Sequence, residues 1–202
     1  MTSVKVDMWF DTLCPWAWMT SRWLLEVEKV RDVSLHWNVM SLYFLNKSRS
    51  HISDEYLENA LKALGPLRVI TAAEKIYGPA IKGDLYTAFG EEIHLKKAEF
   101  SDDLISTVLS RFSFSQDLSH YSNDDSLDDS ILESHNLGLG KVGEDVGTPI
   151  ISIGDVAFFG PVISPAPKGE EAGKLFDGVI AVASYPGFYE IKRTRHVKPI
   201  FD

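Results

Sequence analysis

The sequence predicts an α/β protein whose sheet is interrupted by a block of helices. Residues 4–10 and 33–39 alternate apolar and polar side chains as strands do, and a segment with helical spacing lies between them. Residues 45–145 contain several amphipathic helical patterns and no strand pattern, and strand patterns return at residues 149–159. This order predicts a β-α-β unit, an all-helical insertion and a C-terminal β-β-α unit.

The β-α-β unit follows from two periods in the sequence. In the first strand every second residue is apolar: Val4, Val6, Met8 and Phe10. Thr12 can cap the helix that follows, and Pro15 suits a first helical turn because the N–H that proline lacks has no intrahelical partner there. The helix itself is indicated by apolar residues at helical spacing, namely Trp23, Leu24, Val27 and Val30. The second strand alternates in the same way as the first, at Val33, Leu35, Trp37 and Val39.

Five amphipathic helices are predicted in the insertion. They cover residues 56–64, 69–77, 85–94, 104–112 and about 127–137. Ser101 is suited to cap the fourth helix, and Asp102 and Asp103 favour its first turn because carboxylates stabilise the positive end of the helix dipole.

The C-terminal unit begins with a hairpin pattern. A strand at 149–153, a turn at Gly154-Asp155 and a strand at 156–159 precede a closing helix at 172–183. The complete order is that of a thioredoxin-like domain interrupted by helices. We therefore divide the chain into residues 1–44, the helical insertion 45–145, and residues 146–202.

Composition excludes several classes of partner. The net charge of −9 and the pI near 5.1 argue against nucleic acid and anionic membranes, both of which attract positive surfaces. No secretory signal and no apolar run of about 18 residues is visible. A single cysteine excludes an internal disulfide, and the chain is predicted to be cytoplasmic, where thiols are kept reduced.

Three further patterns are given structural interpretations. The six histidines show no short metal-ligand spacing, so no metal site is predicted. Residues 138–143 match G-x-G-x-x-G, but they end a helix and precede a strand, so glycines of a helix end and a flexible loop explain them better than a dinucleotide site. The basic cluster at 192–196 is predicted to be a solvated tail.

Cys14 is the first candidate for chemistry. The thiolate is the nucleophilic form of cysteine, and the N–H groups and dipole of a helix N-terminus lower a cysteine pKa. Cys14 follows the first predicted strand and precedes the helix, so its sulfur is expected near the surface at the positive end of that helix. A pKa near or above 8.5, the value of a free cysteine, would remove this activation. The competing interpretation is a buried structural cysteine.

Thr148-Pro149 is the second candidate. It lies directly before the third predicted strand, where proline is tolerated. In thioredoxin-like folds this loop faces the redox cysteine, and the residue before the proline offers backbone hydrogen bonds to a peptide or thiol. Cys14-Pro15 and Thr148-Pro149 in this order are more specific together than either is alone.

Several long motifs carry a resemblance to a known family. They are MWFDTLCPWAWMTSRWLLEVEKV, NVMSLYFLN, GPLRVITAAEKIYG, LYTAFGEEIH, VGEDVGTPIISI, VAFFGPVIS, GEEAGKLFDGV and ASYPGFYEIKRTR. In these motifs the chain resembles the DsbA-like mycothiol-dependent nitroreductases and mycoredoxin-type proteins of actinobacteria. The resemblance implies a cytosolic thioredoxin fold with a helical insertion. It also implies use of the small thiol mycothiol to reduce mixed disulfides and, in some members, nitroaromatic compounds.

The same resemblance implies roles for individual residues. Cys14 matches the family's nucleophile, Pro15 and Trp16 match the residues between its two cysteines, and Thr148-Pro149 matches its cis-proline loop. Ala17 stands where the family has a resolving cysteine. Without that cysteine the protein can attack a disulfide and hold the partner covalently, and an external thiol must then release it.

Two explanations of Ala17 remain open. It is either an engineered replacement of a resolving cysteine or the residue of a natural one-thiol enzyme that works through a mycothiolated Cys14.

Side chains from the insertion are candidates for the substrate cleft. Trp16 is expected to be exposed beside the sulfur, where its indole could stack on a flat substrate. His94 ends the third predicted helix of the insertion, where an imidazolium would suit the negative end of the dipole; the alternative is that His94 and Tyr86 line the face over Cys14. Tyr56 and Asn46 are weaker candidates of the same kind.

The first functional hypothesis is a mycothiol-linked thiol–disulfide oxidoreductase with mixed disulfides or small aromatic molecules as substrates. The second is a thiol-dependent isomerase similar to the hydroxychromene-carboxylate isomerases and kappa-class glutathione transferases, which need no second cysteine. The third is a non-catalytic binding protein. A homodimer is left open.

Overall fold

The N-terminal unit forms where the sequence predicts it. The computed structural model describes residues 3–113 and 116–201, with β1 (Val4–Phe10), α1 (Pro15–Glu28) and β2 (Val33–Val39) in its first part. The first and second strands pair in parallel over their whole length, with Met8 opposite Trp37. The helix between them buries Trp23, Leu24 and Val27 completely.

The described residues of the insertion form helices joined by loops and contain no strand, and the first helix begins before the predicted boundary at residue 45. Its helices are α2 (Leu42–Asn46), α3 (Asp54–Lys62), α4 (Leu64–Tyr77), α5 (Ile81–Gly90), α6 (Asp102–Leu109) and α7 (Asp128–Val142). A π-turn, Glu91–Leu95, extends α5, and two 3₁₀ segments, Gln116–Asn123 and Asp125–Leu127, lead into α7. Ser101 caps α6 as predicted, accepting a hydrogen bond from Leu104 N.

The C-terminal unit completes one four-stranded sheet. It consists of β3 (Ile150–Ile153), β4 (Val156–Phe159) and α8 (Gly169–Ala183). The strand order is β2-β1-β3-β4, with β3 antiparallel to both β1 and β4. Within the described chain no helix is both long enough and apolar enough to cross a membrane.

One continuous hydrophobic cluster joins the sheet to the insertion. It contains β1 side chains such as Met8 and Phe10 and insertion side chains such as Leu67 and Phe89. Phe10 stacks on Tyr86 of α5, with 3.8 Å between ring centroids. The inner face of the insertion therefore lies against the end of the sheet that leads to Cys14.

The glycine-rich segment at 138–143 differs from the predicted loop. Gly138 and Gly140 lie inside α7, and only Gly143, with φ of 96°, ends the helix. A Cβ at Gly138 would lie 2.9 Å from the indole of Trp9. Close packing of α7 on β1 therefore explains Gly138, and Gly143 alone has the left-handed conformation of a helix end.

Gly90→Ala is expected to lower the free energy of unfolding by about 1–3 kcal/mol, the usual cost of overpacking a core. A Cβ at Gly90 would lie 2.1 Å from the ring of Trp18, which is itself buried. Thermal or urea unfolding measures the change. Gly178→Ala in α8 is the matched control, because a Cβ there meets nothing within 4 Å and alanine is the better helix former. Equal effects of the two substitutions would contradict this packing.

Candidate active site

Cys14 occupies the N-cap of α1. Its backbone is extended (φ −81°, ψ 109°), and its Sγ accepts a hydrogen bond from Ala17 N at 3.4 Å. Pro15 takes the first helical position, as predicted. The sulfur therefore lies at the positive end of α1.

The Thr148-Pro149 loop faces this sulfur from the other side. The Thr148–Pro149 peptide bond is cis, and the Cys14 thiol donates to the Thr148 carbonyl at 3.4 Å. The buried Thr148 hydroxyl donates to Trp9 O at 2.7 Å, which fixes the loop against β1. The two dipeptides that the sequence singled out, Cys14-Pro15 and Thr148-Pro149, thus meet in space.

The expected activation of Cys14 is wrong for this structure. The residue is only 6% exposed, not at the surface. Burial raises the pKa of the thiol to about 11, because the charged thiolate loses its solvation, and the negative charge of Asp11 adds to the shift. The N–H groups of Ala17 and Trp16 lower the pKa, but by less. The helix N-terminus is present, and burial outweighs it.

Asp11 is a site residue that the sequence reasoning missed. Its buried carboxylate accepts hydrogen bonds from Leu13 N at 2.8 Å and from Leu42 N at 2.6 Å. It therefore ties the loop before Cys14 to the start of the insertion. Burial raises its pKa to about 7, against the lowering effect of the two N–H groups. The sequence did contain a signal for this site residue, namely a carboxylate directly after an apolar strand and three residues before the cysteine.

Trp16 is less exposed than predicted. It is partly buried, and the guanidinium carbon of Arg195 lies 5.1 Å from the centroid of its ring. Residues 192–196 are all exposed, as predicted for a solvated tail, and Arg195 makes this contact from the surface. The side chain of Ala17 is completely buried, so a cysteine at this position would be enclosed by the core.

His94 is not the imidazolium that its place at a helix end suggests. Burial lowers its pKa to about 4, so the ring is neutral at pH 7. The ring lies 5.7 Å from Trp18, and its Nε2 is buried without a hydrogen-bond partner in the described structure. Tyr86 is fully buried, and its hydroxyl lies near Ser21 without a well-formed hydrogen bond. His94 packs on Trp18, and Tyr86 is within electrostatic range of Cys14. Their place in a substrate cleft stays a prediction.

Tyr56 and Asn46 lie at the insertion side of the site. The Tyr56 hydroxyl accepts a hydrogen bond from Asn46 Nδ2 at 3.5 Å. Burial, together with the negative charges of Asp11 and Cys14, raises the pKa of Tyr56 to about 12. Tyr56 is therefore within electrostatic range of Cys14, and its role in binding a substrate stays a prediction. Among the described residues, no group of three or more His, Cys, Asp or Glu side chains is arranged to hold a metal ion.

A family model described as the Rv2466c-like mycothiol-dependent nitroreductase Rv2466c matches residues 13–193. The chain belongs to this Rv2466c-like family. The match includes Cys14, the insertion and the Thr148-Pro149 loop, so the resemblance stated from the sequence motifs is confirmed. Membership in the family supports a thiol–disulfide oxidoreductase of the DsbA-like type.

The chain is also similar to individual proteins. This Rv2466c-like chain is 26% identical over 196 residues to "Uncharacterized protein Rv2286c" of Mycobacterium tuberculosis (strain ATCC 25618 / H37Rv), a match that covers 94% of this chain and 82% of that protein. Among solved structures it is similar to the cytosolic disulfide reductase DsbM from Pseudomonas aeruginosa with GSH, at 10% identity and a TM-score of 0.59, covering 88% of this chain and 99% of that one.

Two more solved structures extend the comparison of the fold. A probable DsbA oxidoreductase, SCO1869 from Streptomyces coelicolor, has a TM-score of 0.58 at 11% identity over 96% of this chain and 94% of its own. A 2-hydroxychromene-2-carboxylate isomerase has a TM-score of 0.60 at 13% identity over 88% and 94%. The predicted thioredoxin-like fold with a helical insertion is confirmed for this member of the Rv2466c-like family.

The rate of Cys14 alkylation by iodoacetamide is expected to rise about tenfold per pH unit from pH 8 to pH 10 without levelling off. The reason is that only the thiolate reacts and its pKa is about 11 in the folded protein. Alkylation of the protein unfolded in urea is the control and should show a midpoint near 8.5. A plateau below pH 8 in the folded protein would contradict the buried, protonated thiol.

Proposed function

We propose that the protein is a one-thiol, mycothiol-linked oxidoreductase of the cytoplasm that reduces mixed disulfides through Cys14. The observation that carries the proposal is the position of Sγ between the N–H of Ala17 and the carbonyl of Thr148, each 3.4 Å away. The N–H groups of the helix end favour a leaving thiolate, and the loop carbonyl lies where a partner's backbone or sulfur would align. Membership in a mycothiol-dependent family supports mycothiol as the thiol that completes the reaction.

The reaction balances with one protein thiol. The Cys14 thiolate attacks a mixed disulfide of mycothiol, forms a disulfide with the mycothiol sulfur, and releases the substrate as a thiolate that takes up a proton. A second mycothiol then attacks the mycothiol sulfur held on Cys14, which regenerates the Cys14 thiolate and leaves oxidised mycothiol. The net reaction converts the mixed disulfide and one free mycothiol into the substrate thiol and oxidised mycothiol, so one disulfide bond is consumed and one is formed. No step needs a second cysteine at position 17.

The first step requires the Cys14 proton to leave. With a pKa of about 11, the thiolate fraction at pH 7 is on the order of 10⁻⁴. With the sulfur buried in this way, Cys14 is expected to react slowly at pH 7. A partner that separates the sulfur from its apolar surroundings would lower this pKa, because burial is the largest cause of the shift.

Intact-mass measurement after incubation with oxidised mycothiol tests the proposal. One mycothiol is expected on the protein, on the peptide that contains Cys14, and reduced mycothiol should remove it. The yield should increase with pH, because the reactive species is the thiolate. Absence of an adduct at every pH up to 10 would overturn the proposed function.

Nitroaromatic compounds are proposed as a second class of substrate, on the basis of the family description. Mycothiol would supply the electrons. Mycothiol-dependent loss of nitro-group absorbance, measured with wild-type protein and with no protein, tests this part separately from the disulfide reaction.

A thiol-dependent isomerase is the second candidate function. The observation that favours it is the protonated, buried thiol, which suits a residue that need not act as a nucleophile. Turnover of a chromene carboxylate in the presence of mycothiol, with Cys14 still free by mass, would favour isomerisation. A mycothiol adduct on Cys14 together with disulfide turnover would favour oxidoreduction.

A further inference from the structure

The segment after α8 returns across the face of the domain that carries Cys14. We call residues 185–201 the C-terminal tail; the described part contains neither helix nor strand. Many of its side chains are exposed, and Tyr189 is 92% exposed. The tail contacts the domain at three points. Arg195 lies over Trp16, Ile200 N donates to Ser164 Oγ at 2.8 Å, and the ring of Phe201 stacks on His94 with centroids 5.7 Å apart.

Phe201 forms one wall of a cleft of about 580 Å³ beside α1. Trp18, Leu25 and Ala166 contribute apolar surface to the same cleft, and Arg22 contributes a cation. The volume lies in the range of small-molecule sites, which combine apolar walls with a few polar groups. Phe201 thus lies where this cleft meets His94.

Arg22 is a charged residue of this cleft that has no carboxylate partner among the described residues. Its guanidinium carbon lies 3.9 Å from the Trp18 ring centroid, and it donates to the hydroxyls of Ser21 and Thr87. It has no carboxylate within 4 Å among the described residues, and burial lowers its pKa to about 10. Arg22 is partly buried, and guanidinium groups that are withdrawn from solvent are normally paired with anions.

The acidic groups of the cleft have other partners. Glu26 pairs with Lys29 at 2.5 Å, and Glu28 accepts a hydrogen bond from Leu35 N. The negative charge of Glu91 raises the pKa of Arg22 without a direct contact, and the Glu91 carboxylate itself pairs with Arg111 at 2.6 Å. An anion brought by a ligand would therefore find an unneutralised cation in Arg22.

His94 supplies the second polar group. It is only 8% exposed, and its Nε2 has no hydrogen-bond partner in the described structure. The ring is held between Trp18 and Phe201, and the Thr12 backbone, two residues before Cys14, faces it. A ring in the place of Phe201 would therefore stack on His94, near both the cleft and the Cys14 loop.

We propose that Phe201 acts as an internal ligand and occupies a subsite that would otherwise bind the aromatic ring of a substrate. This subsite takes planar aromatic molecules whose anionic substituent is directed at Arg22. The tail must leave for such a molecule to bind, so it limits access to the site. The proposal rests on the proposed function for the reaction that follows binding, but not for binding itself. Arg195 and Phe201 lie beyond the residues that the family model matches.

Calorimetric titration of the full-length protein with 4-nitrobenzoate tests the proposal without any thiol chemistry. The Phe201→Ala variant is expected to bind 4-nitrobenzoate about threefold to tenfold more tightly than wild type does. The reason is that the Phe201 ring no longer competes with the ligand for the stacking position on His94. Arg195→Ala, which removes a different anchor of the tail, should also tighten binding. Tyr189→Ala is the matched control, an aromatic side chain of the same tail that is almost fully exposed, and should bind as wild type does.

The charge requirement is tested with 4-nitrobenzamide, which has the same shape and no charge. Phe201→Ala should prefer the carboxylate to the amide, and Arg22→Gln in the Phe201→Ala protein should reduce that preference. Equal affinity of wild type and Phe201→Ala, equal affinity for carboxylate and amide, or no binding to any of these proteins would each overturn the proposal. A failure here would leave the mycothiol adduct at Cys14 unaffected, so the two proposals fail separately.

Discussion

Ala17→Cys is expected to give the protein an intramolecular disulfide that the present chain cannot form. The N–H of residue 17 already contacts Cys14 Sγ at 3.4 Å, so side chains at the two positions face each other across the first turn of α1. Peroxide treatment of the variant should remove both thiols and lower the intact mass by two hydrogens. The added sulfur occupies a fully buried position, and overpacking there should cost about 1 kcal/mol of stability in the reduced form.

The same oxidation of a Cys14→Ser/Ala17→Cys double variant is the control. It should yield no intramolecular disulfide, because only one thiol remains. If Ala17→Cys keeps two free thiols under conditions that oxidise other dithiol proteins, the geometry around Cys14 does not support a dithiol site. That result would also contradict the derivation of this chain from a dithiol pattern, whether Ala17 is natural or engineered.

Cys14→Ser is expected to abolish the mycothiol adduct and to reduce disulfide turnover by more than about 10³-fold, since a hydroxyl does not exchange with disulfides. Serine is a preferred N-cap residue, so its Oγ can accept the hydrogen bond from Ala17 N that Sγ accepts now. The midpoint of thermal unfolding should therefore change little.

Cys14→Ala separates the chemical role from the structural one. It should lose the same activity and, in addition, about 1 kcal/mol of stability, because alanine cannot cap the helix. Residual turnover of either variant close to that of wild type would show that Cys14 is not the nucleophile.

The strand–helix–strand order and the meeting of the two proline loops were predictable because they depend on short-range patterns. Alternation from Val4 to Phe10 placed the first strand, and Pro15 placed the start of α1. The apolar strand after Thr148-Pro149 placed that dipeptide at the beginning of β3. In a thioredoxin-like order these local features determine which loops meet.

The environment of Cys14 was not predictable in the same way, because it depends on packing between distant segments. Burial raises the pKa of the Cys14 thiol, and the positive charge of Arg195 from the C-terminal tail offsets only part of this shift. The neutral state of His94 also depends on its burial beside Trp18 and Phe201. No periodicity in the sequence shows that a residue of the basic tail, Arg195, lies on Trp16.

The central claim is that one sulfur, that of Cys14, carries the mycothiol group between two half-reactions. Initial rates measured over a grid of disulfide and mycothiol concentrations test it most directly. A covalent intermediate on a single thiol predicts ping-pong kinetics, with parallel lines in double-reciprocal plots. Intersecting lines, which would require both substrates to be bound together before any exchange, would contradict the account.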